Sequence, residues 1–381
     1  MRDAVLEPEH IAFRDTVRAF VAREVLPNYD AWEEAGQVDR SVWTAAGRSG
    51  LLGLDVAPDY GGGGTDDYRF AALLTEELAR TGTTGLGIPL HNDVIGPYLN
   101  DLADGGQRER WLPGFCSGDV ITAIALTEPD AGSDLAAMRT TAVRDGDGYL
   151  LDGTKTFVSN GIHADLIIVA AVTDPQRQSR GRVSLLVVER GMPGLERGAP
   201  LRKLGLHAQD TAELFFHGVR LPAANLLGTE GRGLRSLMEH LPRERLSIAV
   251  SAVASAEAVF AETVAYCRTR RAFGRPIGEL QHIRFELAEM STELEIARTY
   301  LDQCLLDHVA GRLDPVGAAR AKWWTTDLQK RVVDRCLQLH GGYGYMREYR
   351  VARAFTDTRM MTIYGGTNEI MKEIIGQSLG L

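Results

Sequence analysis

The feature that most limits this fold is that strand-like sequence is confined to one central block. From Val120 to about Leu227 short runs follow one another: RTTAVRD, YLLDGTKTFVSNG, LIIVAAVT, VSLLVVER and TAELFFHGVRLP, separated by Gly, Pro and Asp. No helical stretch is interleaved among them, whereas the usual parallel α/β sheet needs a helix at each crossover. On either side the period is helical. PEHIAFRDTVRAFVAREVLP puts Ile11, Val17, Phe20, Val21 and Val25 on one broad face and predicts a helix ending at Pro27. After Gly233 helices are predicted at 233–271, 279–310, 315–339 and 348–361, broken at FGRPIG, GRLDP and HGGYGY. The chain therefore reads as α+β, with a helical block at 1–119, a β block at 120–229 and a helical bundle at 230–381.

This order narrows the chemistry. No GxGxxG follows a strand, and Gly61 to Gly64 are not followed by Lys-Ser/Thr, so neither a Rossmann unit nor a Walker loop is expected. The nine histidines form no HExxH or HxxEH and none is paired with cysteines, so no metal is expected, and isolated ones such as His163 and His308 read as surface or capping residues. No GxSxG marks a nucleophile elbow. With 42 basic against 51 acidic residues, a net charge of -9 and no basic run of five, nucleic acid and anionic membrane are not expected partners. The four cysteines show no CxxC spacing, which suggests free thiols in a reducing compartment. No apolar run is read as approaching transmembrane length, and the first residues lack a signal-peptide pattern. The expectation is a cytoplasmic protein without an integral membrane segment.

The most informative local segment is ALTEPDAGSD, Ala125 to Asp134. VITAIAL before it reads as a buried strand, and Pro129 stops that strand. Gly132 allows φ above zero, so that backbone N–H groups and the hydroxyls of Thr127 and Ser133 can converge on one acceptor-rich group.

This segment resembles the first signature of the acyl-CoA dehydrogenases, flavoproteins that desaturate acyl thioesters between Cα and Cβ. QLHGGYGYMREYRVARAFTD, Gln338 to Asp357, is similar to the second signature, with Gly341, Gly342, Gly344, Glu348, Arg353 and Asp357 at the family's spacing. KTFVSNG from Lys155 resembles the segment along the flavin ring, and RRAFGRPI from Arg270 the loop reaching a neighbouring subunit's FAD. The likeness extends over essentially the whole chain. It implies the acyl-CoA dehydrogenase fold: a helical N-terminal domain, a β-barrel-like middle domain and a C-terminal four-helix bundle. It also implies FAD between the last two domains, and a homo-oligomer that is usually a tetramer. By resemblance, Leu126 and Thr127 meet the flavin pyrimidine, Gly132 and Ser133 the pyrophosphate and the substrate pantetheine, and Ser159 the region of N5. Phe157, at a position commonly Trp, packs on the ring. Arg270, Gln281, Gln338, Gly341 and Gly342 are implied contacts to a dinucleotide shared between subunits, and Phe273, Thr367 and Glu369 complete the cofactor set.

The sequence departs from the commonest family pattern at the catalytic base. Many members carry Glu in a Tyr-Glu-Gly-Thr string near the C-terminus; here the string is IYGGTNEI, and that position is Gly365. A glycine cannot take a proton. LPRERLSIA supplies Glu244, which on its own residues reads as a solvated carboxylate between Arg243 and Arg245. By resemblance it matches the alternative base on the long helix of isovaleryl-CoA and long-chain acyl-CoA dehydrogenases. The paired change implies relocation of the acid. LPRERLSIA, KLGLHAQDTAELFF and IYGGTNEIMKE make the long-chain branch the closer likeness. The implied roles are Glu244 as base on an acyl-CoA, the Gly365 N–H on the thioester oxygen, Arg245 at the CoA portion and Tyr364 lining the thioester region. Electrons would leave through an electron-transferring flavoprotein. The alternatives are an oxygen-reactive oxidase or monooxygenase on the same fold, or a non-catalytic flavin or acyl-CoA binding protein.

Overall fold

Pro27 does not end a helix but begins one. Helix α1 (Pro8–Phe20) runs into a π-helical turn at Val21–Val25, and α2 (Leu26–Ala35) starts there with Pro27 in its first turn, where a missing N–H is harmless. The structure, a computed structural model, describes residues 1–174 and 180–381. The N-terminal helices continue with α3 (Arg40–Arg48), α4 (Tyr68–Thr81), α5 (Gly96–Leu102) and α6 (Gly105–Ser117).

The strands are β1 (Thr122–Ala125), β2 (Thr141–Asp145), β3 (Gly148–Ser159), β4 (Leu166–Val172), β5 (Val183–Glu189), β6 (Leu195–Arg197), β7 (Thr211–Pro222) and β8 (Leu226–Leu227). They form one sheet in the order β6-β7-β3-β2-β4-β5-β8, with β1 also paired to β4. Two pairings, β1 with β4 and β2 with β4, are parallel, although no α-helix intervenes; a 3-10 turn at Leu135–Ala137 and the β2–β3 hairpin make the connection from β1 to β4. Every residue of β4 is buried, which explains its unbroken apolar run. Ile167 and Val169 enter a core with Leu151, Leu214 and Phe216, while Leu166 and Ile168 pack with Trp111, Leu112 and Phe115 of α6.

The C-terminal block contains α7 (Gly233–Thr269), a short hairpin of β9 (Arg271–Ala272) and β10 (Arg275–Pro276), α8 (Gln281–Val309), α9 (Pro315–His340), α10 (Arg350–Asp357) and α11 (Asn368–Ser378). Sequence periodicity does not predict α11; Thr367 starts it, its side chain accepting from the Ile370 N–H at 3.3 Å. Contrary to expectation, α7 is long and apolar enough to cross a membrane, with an 18-residue window of mean hydropathy 1.5. Its apolar residues have another destination: Val250, Val253, Ala256 and Val259 join Met290, Leu301, Leu328 and Val332 in the core of the bundle.

Candidate active site

A buried ion pair fixes the turn that follows β1. Lys155 Nζ donates to Glu128 Oε1 at 2.8 Å and to the Leu126 carbonyl at 3.0 Å, and the same carboxylate accepts from the N–H groups of Arg139 (2.7 Å) and Thr140 (2.9 Å). Burial lowers the lysine to about 8 against the pull of Glu128. Burial also works against the Glu128 anion, but Lys155 and the two amides outweigh it and hold the carboxyl below its usual range. The turn closes through reciprocal Glu128–Ala131 bonds of 2.9 and 3.2 Å, and the Thr156 N–H donates to the Thr127 carbonyl at 2.9 Å, so β3 lies against it. Gly132 lies just beyond this closure, and its φ is not positive, so the turn does not use the freedom a glycine allows. A β-carbon there would meet nothing within 4 Å, so this chain's own packing does not demand a glycine; Ser133 beside it is exposed.

Beside this turn, the pairing of β3 with β7 slips by one residue between Lys155 and Val158. Such a bulge re-aims a side chain. Phe157 is turned outward, 69% exposed, at φ +58°, and Asn160 follows at +60°. Left-handed backbone at such residues costs on the order of 1–3 kcal/mol and persists only where the surroundings hold it. Ser159, half-buried, pairs with Thr211. Leu126, Thr127, Phe157 and Ser159 thus lie on two segments joined by backbone and Lys155 hydrogen bonds.

Glu244 lies in the early part of α7, two residues after Pro242, whose ring removes one helical hydrogen bond. Gly365 comes to it from the opposite direction. Gly365 and Gly366 sit at φ +64° and +88°, a turn open to glycine. A β-carbon built on Gly365 would lie 3.5 Å from Glu244 Oε1 and 2.3 Å from Ile248 Cδ1. The two positions linked by resemblance therefore converge, and Ile248, one turn after Glu244, fills the volume a side chain at 365 would take. Among the described residues the Gly365 N–H has no partner. Burial raises Glu244 to about 7, with Arg245 and Lys322 opposing. Tyr364 is 38% exposed over the whole residue, but its hydroxyl points inward and donates to Met361 Sδ at 2.9 Å; burial of that hydroxyl and then Glu244 raise the phenol.

The glycine turn is anchored from behind by two buried cations. Lys322 Nζ donates to the Gly366 carbonyl (2.7 Å) and to Asn368 Oδ1 (3.0 Å). Arg245 Nε lies 3.5 Å from the Gly365 carbonyl. At 5% exposure Arg245 faces this turn, and its buried head has the 365 carbonyl for a partner. Lys322 and Ile248 were not anticipated. The i+4 spacing from Glu244 to Ile248 was readable, whereas Lys322 in AKWWTTD resembles an ordinary helix-surface cation. His308 corrects another expectation, lying half-buried edge-on to the Tyr68 ring at 4.7 Å.

At the other end of α7 a cleft of about 680 Å³ is lined by Arg270, His282, Gln338, Gly341, Gly342 and Tyr343, among others. Arg270, Gln338, Gly341 and Gly342 are thus brought together as expected. Gln281 opens α8 next to the lining residue His282, and Phe273 stands 91% exposed at the tip of the β9–β10 hairpin. Thr367 and Glu369 are elsewhere, at the start of α11 beside the glycine turn. Added β-carbons at Gly341 and Gly342 would meet nothing within 4 Å. These features fit a flavin dinucleotide. The exposed aromatic on a strained bulge suits a ring, the free N–H at Gly365 suits an oxygen, and a cationic cleft with bare glycine backbone suits a pyrophosphate.

Family models for the acyl-CoA dehydrogenase N-terminal, middle and C-terminal domains match residues 7–119, 123–219 and 231–380. The chain is 46% identical over 376 residues to the mitochondrial long-chain specific acyl-CoA dehydrogenase of Sus scrofa, covering 98% of this chain and 87% of that one. The crystal structure of acyl-CoA dehydrogenase from Geobacillus kaustophilus superimposes with a TM-score of 0.97 at 48% identity, over 99% of each chain. A glutaryl-CoA dehydrogenase from Mycobacterium smegmatis, solved in complex with FADH2, gives 0.91 at 30% identity over 99% of this chain and 96% of that one.

Proposed function

This chain belongs to the acyl-CoA dehydrogenase family, FAD-dependent oxidoreductases acting on CH–CH donors, and we propose that it converts an acyl-CoA thioester to the trans-2-enoyl-CoA with Glu244 as the base. The observation that carries this reading is the 3.5 Å approach of Glu244 Oε1 to the β-position of Gly365, where many relatives keep their acid. Bound FAD supplies the acceptor for the β-hydride. The chain's own residues handle the proton and the charge. Glu244, raised to about 7, is poised to accept an α-proton near neutral pH. The unpaired Gly365 N–H can donate to the thioester oxygen as enolate-like charge develops, and Arg245 and Lys322 hold that turn by its carbonyls. Phe157 and Ser159 with Leu126 and Thr127 form the wall for the ring, Tyr364 lines the thioester region, and Ser133 with Gly132 flanks the pantetheine.

Helix geometry bears on assembly. Glu244 and Arg270 are 26 residues apart along α7 and its cap, about 39 Å at 1.5 Å per residue. That span is consistent with what the resemblance implies, in which the cleft with Arg270, Phe273, Gln281, Gln338, Gly341 and Gly342 completes the FAD site of a second subunit in a homo-oligomer. Electrons then leave through an electron-transferring flavoprotein. The test is anaerobic titration with thioesters from C4 to C18. Rapid bleaching of the flavin in wild type, and bleaching about 10³-fold slower in Glu244→Gln, is expected; bleaching of that variant at the wild-type rate refutes the base. Peroxide formed at the bleaching rate in air would favour an oxygen-reactive enzyme.

A further inference from the structure

Among the described residues, four that are not glycine have left-handed backbone: Phe157, Asn160, Leu206 and Phe273. Three of these fall on just two segments, the 157–160 turn and the loop 203–210, and Asp210 joins them. Its carbonyl accepts the Asn160 N–H at 3.0 Å, and its Oδ1 accepts the Ile162 N–H at 2.8 Å. The loop is in turn held from outside the sheet at two backbone amides. Asp357 Oδ1, at the end of α10, accepts the Leu206 N–H at 2.6 Å. Glu33 Oε1, on α2, accepts the Ala208 N–H at 2.9 Å. Both carboxylates are buried, 8% and 9% exposed, and Leu206 is 5% exposed at φ +51°. Gly205 has to be bare, because a β-carbon would lie 2.5 Å from Asp357 Oδ1.

A buried leucine does not adopt this backbone without something to hold it, and the holders here come from the first and last helical blocks. We propose that Asp357 and Glu33 are positioning residues: together they clamp the loop 203–210 and, through Asp210, hold the Phe157–Asn160 turn in the strained shape that presents Phe157 and Ser159 to the flavin. The inference rests on the assignment of that turn to the flavin ring. It gives a reason for an acceptor at Asp357, where an apolar residue would pack as well in a buried site but would orphan an amide. The requirement is an acceptor rather than a charge, so Asn at 357 and Gln at 33 should serve where Ala does not.

The test uses the whole protein with and without FAD and reads hydrogen exchange by mass spectrometry at 157–162 and 204–210, FAD affinity, and the visible circular dichroism of the flavin. In wild type both segments should be protected and open together under increasing denaturant. Asp357→Ala and Glu33→Ala should speed exchange in both segments and weaken FAD by about tenfold or more, the scale of one lost buried hydrogen bond. Asp357→Asn and Glu33→Gln should stay within about twofold of wild type, since their amide oxygens still accept. Equal losses for Ala and Asn overturn the clamp, as does loosening of the loop that leaves 157–162 unchanged. If the Ala variants do not fold, independent opening of the two segments in wild type overturns it equally well. FAD that binds wild type without protecting 157–160 instead sinks the flavin contact, and with it the premise.

Discussion

Glu244 should weaken the fold at the pH where it works. Burial keeps its carboxyl protonated up to about 7, whereas in the unfolded chain it ionises at the ordinary carboxyl value of 4.5. Between those values the folded state holds a proton that the unfolded state has released, so the contribution of this group to stability falls as pH rises from 4.5 to 7, then levels off. The gap corresponds to roughly 3 kcal/mol at alkaline pH and to nothing below both values. Glu244→Gln keeps the shape but cannot charge, and should therefore be more stable than wild type by up to that amount at pH 8 and indistinguishable from it at pH 4.5. For 381 residues the average unfolding entropy converts ~3 kcal/mol into about 4 °C in Tm. The same variant should lose about 10³-fold in the rate of flavin reduction. Calorimetry of wild type and variant across this range, each with FAD bound, decides it. A constant difference in Tm from pH 4.5 to 8 refutes the buried-carboxyl account, even if activity is lost.

Three further outcomes follow from the same geometry. Exchanging the acid, Glu244→Gly with Gly365→Glu, should restore little single-turnover reduction on its own, because a β-carbon at 365 meets Ile248 Cδ1 at 2.3 Å and φ is +64°; adding Ile248→Ala should raise it, and no gain from that third change would refute the steric reason. Arg270→Glu should lower FAD occupancy and weaken the oligomer together, read by flavin absorbance and sedimentation; full occupancy in a wild-type monomer would contradict a shared site. Lys322→Met removes a cation that opposes the rise of Glu244, so the acidic limb of the reduction rate against pH should move upward; a fixed limb would exclude that coupling.

Much of this was legible in the sequence because it rests on local spacing. The helix–strand–helix order and the three long C-terminal helices follow from period and punctuation, whereas the gathering of Arg270 with Gln338, Gly341 and Gly342 was legible only through the family resemblance. What was not legible depends on contacts distant in the chain. Pro27 reads as a stop because a proline at a helix start and one after a helix look alike without the preceding π turn. Glu244 on its own residues reads as a solvated carboxylate, and the turn at 365 that Arg245 holds arrives from 120 residues away. Gly132 marks a turn in the sequence, yet neither a positive φ nor this chain's own packing requires a glycine there. Parallel pairing of β1 and β2 with β4 leaves no sequence mark, since strand direction depends on the path of the connection.

The convergence of two chain segments on one point also constrains how such an enzyme could change its base over time. A lineage passing through a form with neither acid would lose turnover, whereas a form with Glu at both 244 and 365 would place two carboxyls within a few ångströms of each other in one buried site. Like charges so close do not both ionise, so one would stay protonated while the other served, and activity would survive the overlap. Ile248 narrows that passage: its methyl occupies the second seat, so a chain carrying isoleucine there has already committed to the helix as the home of its base.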